Sequence, residues 1–354
     1  MTIPTEPIGS IPRPASLLQA MTGHAAGRVS AEELEKAYAD AVADTLQRFE
    51  ATGSPVISDG EQRKSSFATY PLEGMADLAA DGVVIPFKDG HTRQLPRLTR
   101  GPFRYAKHAG EYVRLAKSHA HRPLKQAVIA ASALSLLYPL DGIAGYSREE
   151  FIGDLINEAV ADIRSAFDAG ADSVQIDFTE GRLSLKLDPS GGLLKSFVEL
   201  NNKVLERFSA AERARIGVHV CPGGDHDSTH SADVDYAGLL PTLFATNAGR
   251  FYLQMASEAD RPRVLQLVAK VLGGGQRVFV GVIDPISPRV ESAEEVRDRV
   301  LEAAEILPLD RLGTTDDCGF SPFADDESTA RDVAFSKIKA RVEGTAMAAA
   351  KLGV

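Results

Sequence analysis

Short apolar runs rich in β-forming residues alternate with longer amphipathic runs along most of this chain. Residues 125–130, 173–177, 216–220, 250–255, 277–283 and 312–315 each read as a buried strand. Helical periodicity fills the gaps, over 147–170, 191–208, 233–246 and 258–272, from Ser292 onward, and from about Ser328 to the end. Ser30, Ser147 and Ser292 each stand three residues before a glutamate, the pattern of a reciprocal helix cap. The helix opened by Ser30 continues to Phe49 and stops at Gly53. Two further strands are predicted upstream, at 8–14, ended by prolines and running into a functional loop, and at 55–61, ended by Asp59 and Glu61. Residues 70–122 break the alternation, and 101–105 suggest a β-ribbon in an insertion between the second and third strands.

Eight strands alternating with helices predict an α/β protein, a (β/α)8 TIM barrel formed by one domain over 1–354 with an insertion at about 70–122. An open doubly wound sheet is the structural alternative. The chain has no Gly-x-Gly-x-x-Gly after a strand, and Gly273-Gly274-Gly275 follows a helix instead.

Active sites of such barrels lie at the C-terminal strand ends. There the expected fold brings together Ser10, Asp59 with Glu61, Asp177, His219 with Cys221, Gln254, Asp284 and Cys318. His219 and Cys221 alternate along one strand and share a face. Cys318, the only other cysteine, follows the last strand. One imidazole and two thiols leave a tetrahedral position open, the pattern of a catalytic zinc. Read singly, each residue has a plainer role: a buried small thiol, a hydrogen-bonded histidine, an aspartate cap.

Composition narrows the partners. The 354 residues are 44% hydrophobic and 25% charged, with a net charge of −10. The absence of a basic run argues against nucleic acid and anionic membranes. Two cysteines fit a reducing cytoplasm rather than a disulfide framework. No stretch has the length of a bilayer span, and the first residues lack the features of a secretion signal. The insertion is a candidate lid or a surface for a second copy in a homo-oligomer.

The chain resembles the catalytic barrel of cobalamin-independent methionine synthase and its single-barrel relatives. The resemblance rests on Ile8-Gly9-Ser10-Ile11-Pro12-Arg13, Asp59-Gly60-Glu61-Gln62-Arg63, Gln175-Ile176-Asp177, His219-Val220-Cys221 and Thr314-Thr315-Asp316-Asp317-Cys318-Gly319. It implies zinc held by His219, Cys221 and Cys318, and an amino-acid thiol held by Ser10, Glu61 and Asp177. Two departures stand out. Leu253-Gln254-Met255 occupies the place of the family's glutamate ligand, with Glu258 a nearby substitute. Asp177-Phe178-Thr179-Glu180-Gly181-Arg182 replaces the family's Asp-Glu-Pro.

The resemblance implies alkyl transfer from a small-molecule donor to a small-molecule thiol, foremost methyl transfer from a methylated folate to homocysteine. His226 or Asp225 would supply the proton to the leaving nitrogen. A similar relative, epoxyalkane:coenzyme M transferase, opens an epoxide with a sulfonate thiol. That reading needs a cation, for which Arg182, Lys186 and Arg289 are candidates. A non-catalytic zinc-binding barrel, with Asp284, Asp316 and Asp317 as caps and turns, is the third reading.

Overall fold

The computed structural model describes residues 2–354. Six parallel strands form its central sheet: β1 (Lys125–Ile129), β2 (Ser173–Asp177), β3 (Ile216–Val220), β4 (Arg250–Leu253), β5 (Arg277–Ile283) and β6 (Leu312–Asp316). They lie side by side in chain order. Every residue of β1, β2, β3 and β6 is buried, as expected of parallel strands covered on both faces.

Two shorter segments close the sheet into a (β/α)8 barrel. Thr5 bridges Thr314 in parallel, with Glu6 N–H donating to Thr314 O at 3.0 Å and Thr314 N–H to Pro4 O at 2.9 Å. On the other edge Ile57 bridges Leu124. The two segments meet where Ile11 N–H donates to Gly60 O at 3.0 Å. The first strand therefore lies upstream of the predicted 8–14, which is loop at the barrel mouth. Pro4 and Pro7 have no N–H to give, so the N–H that this segment donates to β6 comes from Glu6, between them. The second is also shorter than the predicted 55–61, because Gly60 (φ 68°) and Glu61 (φ 55°) leave extended geometry.

The helices follow their caps. Ser30, Ser147 and Ser292 each form a complete reciprocal box with the glutamate three residues on, opening Ala31–Ala51, Arg148–Asp168 and Ala293–Ala304. Ser209 and Glu212 form a fourth that the hydrophobic pattern did not reveal. The last helix, Arg331–Leu352, buries two cations against the barrel. Arg341 pairs with Asp316 at 2.5 Å, and Lys337 with Glu291 at 2.8 Å. No helix is long and apolar enough to cross a membrane.

The insertion differs from its expectation. Residues 101–105 form no strand; the ribbons are Leu78–Ala79 with Arg97–Leu98 and Val84–Pro86 with Thr92–Gln94, followed by helix Gly110–Lys117. Pro102 lacks the N–H that a ribbon there would use. Asp162 anchors the insertion to helix Arg148–Asp168, accepting from Ala109 N–H at 2.6 Å and from the Tyr70 hydroxyl. Asp162→Ala leaves two buried donors without an acceptor, a loss of about 2–4 kcal/mol in urea unfolding. An unchanged unfolding midpoint would contradict this anchor.

Candidate metal and thiol site

The ladder register decides the centre of the site. Asp177, at the end of β2, pairs with His219 on β3. Asp177 Oδ1 accepts from His219 Nδ1 at 3.1 Å, which leaves Nε2, 3.4 Å from the Asp317 carbonyl oxygen, as the imidazole atom able to ligate. The carboxylate is itself held: Gln175 Nε2 donates to Oδ1 at 2.8 Å, and Lys125 Nζ donates to Gln175 Oε1 at 2.8 Å. Lys125 lies against Glu6 and the Tyr252 ring inside the barrel. A polar chain thus runs up the barrel axis and fixes the imidazole.

Closure of the barrel carries Cys318 to this point. Candidate donor atoms of His219, Cys221 and Cys318 all lie within 4.8 Å of one another. The two sulfurs are 3.3 Å apart and both thiols are free, well beyond the about 2.05 Å of a disulfide. The neighbouring Cys221 sulfur, together with burial, pushes the Cys318 thiol well above its ordinary range. Two thiols and an imidazole crowded in this way suit a soft divalent cation, which offsets the repulsion of paired thiolates. Zinc fits this donor set. Glycine allows the approach of the Cys318 loop, since a Cβ on Gly319 would fall 2.0 Å from Ser10 Oγ.

Gln254 offers no free ligand atom. Its Oε1 accepts from Arg182 Nη1 at 2.7 Å and its Nε2 donates to Ser257 Oγ at 2.5 Å. Glu258 lies 3.7 Å from the same guanidinium. Arg182 is buried, stacked on Tyr236 and bonded to Val234 O, and it lines neither cavity at the mouth. Its expected place as a substrate cation is corrected accordingly: the charge organises the loop after β4. Lys186 pairs with Asp233 and Arg289 with Glu295, both toward the surface.

A cavity of about 370 Å³ opens beside the donor set, and Ser10, Glu61, Asp177, His219 and Cys318 all line it. Burial pushes the Glu61 carboxyl up, against the pull of Lys64 at 3.2 Å. The other walls are largely apolar, including Phe67, Ile129, Leu136, Leu183 and Phe323. Glu180 and His230 also line it, and the sequence reading had assigned neither a role. Burial, with Lys186 and Arg182 nearby, lowers the His230 imidazole to about 4, so it is neutral in the fold.

Asp225 and His226 are placed differently from their expected roles as proton donors. They sit in a hairpin, Gly224–Asp225 with Ser228–Thr229, turned by His226 and Asp227 at φ 47° and 59°. Asp225 is buried in an ion pair with Arg93 at 2.5 Å and with His91 at 3.0 Å. His226 is substantially exposed and lines neither cavity. Asp225 faces a second cavity of about 410 Å³ with Gln254 and Asp284, whose Oδ1 holds the turn at Ile286. Arg93 also reaches Asp325 at 2.8 Å and stacks on Phe323 at 4.2 Å. The insertion, the hairpin and the loop after β6 are thereby pinned together over the mouth. Asp317 accepts from Met255, Ala256 and Ser257 N–H at 2.7–2.9 Å, fixing the loop that carries Gln254.

Comparison with known proteins gives a consistent picture. The family described as "Cobalamin-independent synthase, Catalytic domain" matches residues 3–337. The methionine synthase of Saccharolobus solfataricus is 23% identical over 343 residues, 97% of this chain and 94% of that one. The methionine synthase of Sulfurisphaera tokodaii is 24% identical over 343 residues, 97% of this chain and 91% of that one. A solved B12-independent methionine synthase from a Shewanella species, in complex with selenomethionine, has the same fold. It superposes with a TM-score of 0.78 at 21% identity, covering 99% of each chain.

The buried His230 has a consequence for stability. The unfolded imidazole takes up a proton near 6.5, and the folded one only near 4. The unfolded state binds more protons in that window, so the contribution of His230 to stability falls as pH drops from about 6.5 to about 4. The melting temperature of His230→Gln should therefore gain on that of wild type across this range. A difference that stays constant would refute the assignment of a neutral, buried imidazole.

Proposed function

The chain belongs to the cobalamin-independent synthase catalytic-domain family, and from that premise we propose that it is a zinc-dependent thiol alkyltransferase that methylates homocysteine from a methylated folate. The observation that carries this reading is the meeting of His219, Cys221 and Cys318 beside a cavity that also holds Glu61 and Asp177. Zinc bound there would ionise a substrate thiol that is otherwise mostly protonated at neutral pH, its own pKa being about 8.5. The remaining work belongs to the chain. Asp177 keeps the proton of His219 on Nδ1, so that Nε2 is available to the metal. The Glu61 carboxyl and the second Asp177 oxygen offer acceptors suited to the ammonium of an amino-acid thiol. Ser10 and the apolar wall bound the space left for the donor.

A second reading, epoxide opening by a sulfonate thiol, draws on the same donor set and is favoured by the apolar wall, which suits an alkyl epoxide. The cation it requires is the weak point. Among the described residues lining the cavity, Arg93 is the only arginine or lysine, and it is committed to Asp225 and Asp325. The balance of charge therefore favours an ammonium-bearing thiol.

Loss of free thiol separates these readings. Consumption of homocysteine with methylated folate is expected, and turnover only of coenzyme M with epoxypropane would overturn the first reading in favour of the second. Metal present with no thiol consumed in either assay would indicate a binding barrel without catalysis. Cys221→Ser and Cys318→Ser should each release most of the zinc, and full retention in either would refute the ligand assignment. Asp177→Ala should weaken metal affinity about 10–100-fold by freeing the imidazole. Unchanged affinity would show that the polar chain below His219 has no such function.

A further inference from the structure

Transfer of an alkyl group leaves an electron pair on the departing nitrogen or oxygen, and that atom needs a proton. His226 and Asp225 lie outside the cavity where this happens. The titratable groups lining that cavity can be taken in turn. His219 and Cys318 belong to the metal set, Asp177 orients His219, Glu61 pairs with Lys64, and Arg93 and Asp325 pair with each other. His230 is neutral, and its remaining N–H is too weak an acid to give up a proton near neutral pH. Glu180 remains.

Glu180 sits at the start of helix Glu180–Leu187, close after Asp177, and is only 5% exposed. Its Oε1 accepts from Ser132 Oγ, which Asn201 Nδ2 holds in turn at 2.8 Å. Its Oε2 is buried and has no partner in the protein. A protonated carboxyl in this position carries an O–H with no acceptor of its own, on a residue that lines the cavity. Resting on the alkyl-transfer reading above, we propose that Glu180 is the proton donor to the leaving atom of the alkyl donor. The substrate sulfur forms the new C–S bond as the C–N bond of a methylated amine, or the C–O bond of an epoxide, breaks. The departing atom takes that electron pair and the proton from Glu180. The carboxylate then recovers from solvent the proton that the thiol gave up, so the net reaction is balanced.

The protonation state agrees with this role. Burial raises Glu180 to about 8, helped by the Asp177 charge and opposed by the Ser132 hydroxyl and the N–H groups of Ala133 and Glu180 itself. The acid is therefore protonated at neutral pH and lost on the alkaline side.

The test exploits the leaving group. Iodide departs without a proton, so full-length, metal-loaded Glu180→Gln should methylate its thiol from methyl iodide within about threefold of wild type. With the donor that wild type turns over, it should lose at least about a hundredfold, the scale of general acid catalysis. Equal losses with both donors, or none with either, would overturn the proposal. If wild type does not accelerate thiol alkylation by methyl iodide, the alkyl-transfer reading fails rather than the choice of Glu180. Should Glu180→Gln not fold, Ser132→Ala gives a second route. Removing a hydrogen bond that favours the ionised carboxyl should move the alkaline limb of the rate profile to higher pH, and an unmoved limb would contradict the assignment. Independently of turnover, infrared spectra of the metal-free protein at pH 7 should show a protonated carboxyl band that Glu180→Gln lacks. Identical spectra would overturn the proposal.

Discussion

The hydrogen bond between Asp177 and His219 is the contact on which the site depends. It exists because β2 and β3 run parallel in a register that puts the two residues side by side at the barrel mouth. Slipping that register by one residue would turn either side chain to the opposite face of the sheet. The bond fixes the Nδ1 proton and turns Nε2 toward the loop of Asp317 and Cys318, and Lys125 and Gln175 hold it from below, inside the barrel. Cys221 then lies two residues beyond His219, past the end of β3. Cys318 arrives from the far edge only because Thr5 and Ile57 close the ring on either side. Donors from two places far apart in sequence thus depend on one register and one closure.

Around this centre the protein spends its buried cations on architecture. Arg341 and Lys337 tie the last helix to the barrel, Arg182 holds the loop after β4, and Lys125 steadies the polar chain. Arg93 pins three separate segments over the mouth. The cavity is left with carboxylates, a neutral imidazole and an apolar wall. Under the proposed function such a lining would discriminate by charge: an ammonium would find acceptors there, whereas a sulfonate would have to compete for a guanidinium already held by two carboxylates. The loop after β4 illustrates the same economy. The Gln254 amide is held on one side by Arg182 and on the other by Ser257.

Much of this architecture was legible in the residues. The six full strands and the helices between them follow the apolar periodicity, and three reciprocal caps were visible as Ser-x-x-Glu. His219, Cys221 and Cys318 could be brought together from strand-end position alone. The first two strands were misplaced because a bridge of one residue leaves no periodic trace. Asp225, His226 and Arg182 were given chemical roles by residue type, but ion pairing and exposure, which decide such roles, have no sequence period. Glu180 and His230 were missed for the complementary reason. Each is an ordinary polar residue until the fold buries it beside the cavity with one side-chain atom unpartnered. The insertion carried no motif at all, yet it supplies Arg93 and part of the cavity lining.

X-ray absorption at the zinc edge reads the donor set itself. One bound zinc is expected, with two sulfur ligands at about 2.3 Å and one imidazole nitrogen at about 2.0 Å, and a third sulfur should appear on addition of the substrate thiol. Zinc coordinated by oxygen and nitrogen alone, or a sulfur count that the thiol does not change, would contradict this expectation.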